Sequence, residues 1–363
     1  MPFYIHRYPS TSSAWSALDP LDDVVSWIKG LRSENYLSDV IKERHKNIPS
    51  VGKGFKARIS MSSAHLAVAC DYLEQGLSGP ESVSFLPLYY AFLNLAKVYV
   101  ALGPSFEELP KQRWHGVSYG LSPDTGNFMK DQLYIQDKGA IPLFYQTVTG
   151  KPAPSNLSIN MSQVYPYITD VSSEYKIATG MDSLLRSAYL EAIQEGEFWR
   201  VKCSLRDDGE DTPSNANKPK YLPTLKGRKG SLRRKVGSSQ DFFGVKVPGP
   251  SKEPPMRELR ETFSPCTIIT SASAPTPYLP WQGLYAVPIA LPVSPQLVVF
   301  GEFPILLAFF HLSSIVRYHP EFHRQLMDSK YLPLLLALRR HGTYSFLLQF
   351  WSFMRQESFY FNH

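Results

Sequence analysis

Cysteine is scarce in this sequence. Cys70, Cys203 and Cys266 lie far apart with no CxxC pair, which argues against a disulfide scaffold or a thiolate zinc site and fits a reducing cytosol. The opening stretch, MPFYIHRYPSTSSAW, has no apolar run, so secretion is not expected and the localisation read from the sequence is cytoplasmic. There is no Walker A loop, no GxGxxG turn and no HExxH helix. Nucleotide hydrolysis, dinucleotide binding and zinc proteolysis therefore lack their motifs. The nine histidines reach metal-ligand spacing only as His319 and His323, which straddle Pro320. Neither a cofactor nor a metal is expected.

A clean membrane span is also missing. Leu297 to Val316 is apolar enough to consider, but it carries Glu302, Pro304 and His311, polar groups that a lone helix would leave in lipid. It reads as a buried core helix, and no membrane partner is expected.

Apolar and aromatic residues are abundant, at 43% and 13% of 363 residues, enough to fill a sizeable core. Ser84 to Gly103, SFLPLYYAFLNLAKVYVALG, is apolar on every face, which predicts a central helix with Ser84 as N-cap, Pro87 in the first turn and Gly103 as the stop. A helix from Asp19-Pro20 to Gly30, a weaker one over 37–44 and a small-residue helix over 60–77 precede it, with a loop at KNIPSVGKGF. The 60–77 helix and the central helix should form an antiparallel pair. Beyond Gly103 the spacing predicts a hairpin over 133–147 around Asp137, Lys138 and Gly139, helices over 169–175 and 181–194, and strands over 198–205 and 266–270. Apolar helices return over 297–318, 331–340 and 344–356.

Charge is uneven. Between Lys202 and Arg260 there are 14 Lys and Arg against 7 Asp and Glu, whereas the rest of the chain has 24 against 25. The fold class expected is thus mainly α: a helical bundle over 1–200, a basic, disordered insertion over 206–260, an irregular or β connection over 264–296, and C-terminal helices over 297–363 that pack on the N-terminal bundle.

Three stretches, PLYYAFLNLAKVYVALG at 87–103, His115-Gly116-Val117-Ser118 and LSSIVRYHPEF at 312–322, together resemble the YaaC-like family of bacterial proteins, which implies a fold more than a function. The first two are also similar to the middle of a HEPN-type four-helix bundle, a superfamily of ribonucleases, defence components and inactive members. That resemblance implies an RNA-directed protein, a metal-independent ribonuclease chemistry and a homodimer sharing its site. Its Arg and His, four to six residues apart on one helix, find their best match in Arg317 and His323, with Pro320 between them; the structural alternative pairs Arg317 with a carboxylate and lets Pro320 open the next helix. His115 is a further candidate base, against a packing role.

Tyr90, Asn94 and Lys97 lie on one helical face and could bind phosphate or pair with another helix. The basic residues of KGRKGSLRRK, Lys226, Arg228, Lys229, Arg233, Arg234 and Lys235, form a run without acids that would hold RNA or another polyanion by counterion release, or serve only as a solvated loop. Gly116 to Gly120 matches GxSxG without the strand and helix that a nucleophile elbow requires, and Asp170, Glu174 and Lys176 are a chance likeness to nuclease carboxylates. The alternative function is a non-catalytic scaffold or protein-binding module, in which the same residues are structural.

Overall fold

The computed structural model describes residues 11–15, 20–45, 48, 51–120, 127–150, 152–154, 156–183, 185–195, 198–205, 247–248, 267–268, 282–288, 301–355 and 357–361. The basic run 226–235 and most of the segment over 206–260 lie outside them.

The chain is mainly helical, with a core built on one helical hairpin. Helices α1 (Pro20–Gly30) and α2 (Glu34–Arg44) lead into α3 (Lys53–Ser78) and α4 (Glu81–Leu102). Only Gly79 and Pro80 separate the last two. The hairpin is closely packed because Gly76 lets the Leu88 side chain sit against the α3 backbone, in space a Cβ would fill. Both helices are longer than their sequence spacing predicts. Lys53-Gly54-Phe55, expected in a loop, is the first turn of α3, with Phe55 buried. Ser84 is not an N-cap: α4 begins one turn earlier, after Pro80, and the Ser84 hydroxyl donates to the Glu81 carbonyl at 3.0 Å. Pro87 is therefore inside the helix.

The all-round apolarity of α4 has its expected consequence. Phe92 stacks on Phe346 at 4.3 Å and meets Phe309 edge-on at 4.7 Å, and Tyr99 stacks on Phe353 at 4.1 Å. These partners belong to the C-terminal helices α7 (Glu302–Tyr318) and α10 (Thr343–Arg355), which pack on the N-terminal bundle together with α8 (Pro320–Met327) and α9 (Leu332–Ala337). A π-helical segment, Leu338–Gly342, joins α9 to α10. From it, Arg339 donates to the Leu77 carbonyl at 3.1 Å, tying the run to the end of α3. Among the described helices, α4 alone is long and apolar enough to cross a membrane, and it is mostly buried within the fold.

Between the two halves sit α5 (Ala140–Thr149), α6 (Ser172–Thr179) and a sheet of β2 (Val117–Gly120), β3 (Gln132–Ile135) and β4 (Leu157–Asn160), antiparallel in that order. The expected hairpin over 133–147 is thus a strand followed by a helix. Leu133 and Ile135 alternate as a strand should, but Ile141, Phe144, Tyr145 and Val148 follow helical spacing and are all buried. Asp131 fixes the sheet to α7, accepting hydrogen bonds from His311 Nε2 at 2.9 Å and the Tyr119 hydroxyl at 3.1 Å.

A second sheet holds β5 (Leu185–Glu195), β6 (Phe198–Leu205), β7 (Val247–Pro248), β8 (Thr267–Ile268) and β9 (Gln282–Pro288), in the order β7-β6-β5-β9-β8. The helix expected over 181–194 is therefore strand β5. Its antiparallel pairing with β6 on one side and β9 on the other overrides the local helical pattern. Strand β6 keeps the bounds its alternation predicts. β1 (Thr11–Trp15) pairs in parallel with β10 (Glu357–Phe361).

Candidate functional site

The polar stripe on α4 is the floor of a half-buried basic cluster. Tyr90, Asn94 and Lys97 face α3, the loop before β2 and the end of α7. Asn94 Nδ2 donates to the Tyr90 carbonyl at 2.8 Å, which turns its Oδ1 toward His65 Nδ1 at 2.9 Å. Since that oxygen can only accept, His65 Nδ1 carries the proton and Nε2 is left as an acceptor. Tyr72, two turns along α3 from His65, stacks on Tyr90 at 5.3 Å.

His115 enters from the loop. Its carbonyl accepts from Ile141 N at 2.9 Å and that of Trp114 accepts from Ala140 N at 3.1 Å, so the first turn of α5 pins the loop. This close approach depends on two glycines with left-handed φ values, Gly116 at 83° and Gly139 at 133°, whose backbones touch where side chains would collide. The imidazole stacks on Tyr89 at 5.5 Å and hydrogen-bonds its hydroxyl through Nδ1. Burial pushes the Tyr89 hydroxyl far above the ordinary phenol range, with Tyr90 adding to the effect. It therefore stays neutral. As the only partner of this hydroxyl among the described residues is His115 Nδ1, its buried proton is satisfied by donating there, which places the His115 proton on Nε2.

Arg317, in the last turn of α7, completes the cluster. Its Nη1 donates to the Tyr90 hydroxyl at 3.1 Å, and its guanidinium lies 5.9 Å from the Tyr90 ring and 5.0 Å from the Tyr318 ring. Among the described residues, neither Arg317 nor Lys97 has a carboxylate within ion-pair distance.

The protonation states follow from this setting. Desolvation lowers the His115 pKa, and the nearby charges of Arg317 and Lys97 lower it further. Desolvation also lowers that of His65; the Asn94 bond opposes the shift and Lys97 adds to it. Desolvation lowers the Lys97 pKa too. The cluster thus holds two histidines whose pKa values are lowered toward the neutral form, two cations without a carboxylate partner among the described residues, and an imidazole acceptor, His65 Nε2.

His323 is not brought to it. Arg317 ends α7 whereas Pro320 opens α8, and the shared helical face of the Arg and His pattern is lost at that break. His323 is buried beside Phe85, with ring centroids 6.4 Å apart, and its pKa is lowered by burial. Gly116 to Gly120 leads into and forms β2, an edge strand with Ser118 exposed, not a nucleophile elbow. Lys176 pairs with Asp182 at 3.2 Å at an exposed site. His65 was missed in the sequence because Ala64, Ala67 and Ala69 dominate the reading of α3. Its i, i+7 relation to Tyr72 was the available signal.

The family model described as YaaC-like Protein matches residues 29–354. No curated protein matches the chain, and no solved structure matches it.

Proposed function

This chain belongs to the YaaC-like protein family, and within that frame we propose that the cluster around Lys97 and Arg317 binds the phosphates of RNA. The observation that carries this reading is the pair of half-buried cations without carboxylate partners among the described residues. Holding an ammonium and a guanidinium partly out of water without a counter-ion costs free energy, and an arriving anion relieves that cost. His115 Nε2–H adds a neutral donor to the same anion. His65 Nε2, an imidazole acceptor in the group, suits a 2′-hydroxyl, the feature that separates RNA from DNA. The basic run 226–235 would add sequence-independent attraction.

One observation favours cleavage as a second reading. With its proton held on Nδ1 by Asn94, His65 can take the 2′-hydroxyl proton at Nε2 as the 2′-oxygen bonds to phosphorus. Lys97 can give a proton to the 5′-oxygen as the P–O5′ bond breaks, leaving a 2′,3′-cyclic phosphate and a 5′-hydroxyl, and Arg317 stabilises the charged phosphorane-like transition state. This needs no metal and assigns no step to His323.

The test is binding and cleavage of labelled total RNA by the full chain in EDTA, beside a Lys97→Met/Arg317→Met variant shown to be folded. Weaker binding by the double variant supports the phosphate site; unchanged binding overturns it. Cleavage that disappears in His65→Ala supports the second reading, and cleavage that survives in it overturns that reading.

A further inference from the structure

Four aromatic side chains stand out among the exposed large apolar groups of the described residues: Tyr36, Trp114, Tyr134 and Tyr318. The two most exposed are Trp114 at 73% and Tyr318 at 63%. Isolated exposed apolar residues need no explanation, but each of these two is the chain neighbour of a residue of the basic cluster. Trp114 directly precedes His115, on the loop that α5 pins in place. Tyr318 directly follows Arg317, whose guanidinium lies 5.0 Å from its ring. Each arm of the basic cluster therefore carries an outward-facing aromatic ring. A third stack, Tyr72 on Tyr90, lies between α3 and α4 at its floor.

We propose that Trp114 and Tyr318 are base-stacking platforms that make the basic cluster a site for single-stranded nucleic acid, with unpaired bases on the two rings and the connecting phosphate against Arg317 and Lys97. The inference rests on the phosphate-binding reading of that cluster. Its additional content is the substrate class: a base can lie on a ring only when it is unstacked, and a duplex buries its base faces. Stacking accepts any base because each has a π-face, so the site is tolerant of sequence and favours purines through their larger rings. Arg317, already between two tyrosine rings, can serve a phosphate while keeping its cation–π contacts.

The experiment measures binding of the full chain to labelled oligoadenylate, oligouridylate, oligodeoxyadenylate and an RNA duplex of the same length. Trp114→Ala and Tyr318→Ala, both at exposed positions, are compared with Lys97→Met/Arg317→Met. The expected result is a loss of roughly 5- to 100-fold for each aromatic variant on the single strands, an unchanged salt dependence, and no effect on the weaker duplex binding. Aromatic variants that bind oligoadenylate as the wild type does, while the double cation variant does not, overturn the stacking proposal and leave the phosphate site standing. Unchanged binding by the double cation variant overturns both. Retained binding of oligodeoxyadenylate supports a platform for either kind of single strand, since stacking does not read the sugar.

Discussion

Removing the charge of Lys97 should make the protein more stable and a poorer binder. Its ammonium is half-buried, burial lowers its pKa, and it has no carboxylate partner among the described residues. Lys97→Met keeps most of the apolar stem and removes the charge that is poorly solvated. Single stabilising substitutions commonly yield about 0.5–2 kcal/mol. The remaining exposure of Lys97 lets water screen part of that cost, so about 0.5–1 kcal/mol is expected. With a urea m-value of about 3 kcal/mol/M, at the upper end for small proteins as the size of this chain requires, this moves the midpoint upward by about 0.15–0.3 M. The same variant loses one phosphate contact, and the slope of log affinity against log salt for a single strand should fall by about 0.7. Urea melts and fluorescence anisotropy on one preparation measure both. A variant destabilised by 1 kcal/mol or more, with its salt slope intact, would refute the reasoning and make Lys97 a structural cation.

Acid should destabilise the fold. Burial lowers the pKa of His65, His115, His311 and His323, so the unfolded chain, with histidines near about 6.5, binds more protons. Stability is then complete above that value and lost as pH falls through the folded values; urea midpoints at about pH 7.5 and about pH 5.5 should differ, and equal midpoints contradict this. Gly139→Ala puts a Cβ into the Gly116 backbone at a φ of 133°, at an expected cost of about 1–3 kcal/mol, and should weaken RNA binding by displacing His115; a variant with wild-type stability and binding would show that the loop tolerates the shift. Phe92→Ala empties the stack between Phe309 and Phe346 and should cost about 3–5 kcal/mol in urea unfolding without altering the salt slope of any binding that remains.

The central hairpin and the C-terminal helices were legible in the sequence because their signals are local and redundant. α4 is apolar on every side, and the tail carries more apolar surface than it could expose. The failures have a different origin. Residues 181–194 satisfy a helical pattern, yet β5 forms because β6 and β9 flank it on both sides, a pairing that no short window contains. The expected hairpin at 133–147 does not form because a glycine marks a turn between strands and the start of a helix alike, and here Gly139 precedes helix α5. For the site, Tyr90, Asn94 and Lys97 could be placed on one face by spacing alone, and Arg317 and His115 could be singled out as chemistry-bearing residues. That all five converge, that His65 joins them and that His323 does not depend on how α3, α7 and α8 pack. Residues 226–235 lie outside the described residues.

The most direct measurement is an NMR titration of the histidine rings of the full chain, with and without a short oligoribonucleotide. Without it, His65 and His115 should titrate below the ordinary histidine value, for the reasons of burial and nearby cations. Bound phosphate supplies negative charge to the same cluster and should raise both, while His311 and His323, buried elsewhere, should not respond. Oligonucleotide that binds without moving the titration of His65 or His115 would contradict the assignment of the phosphate site to this cluster.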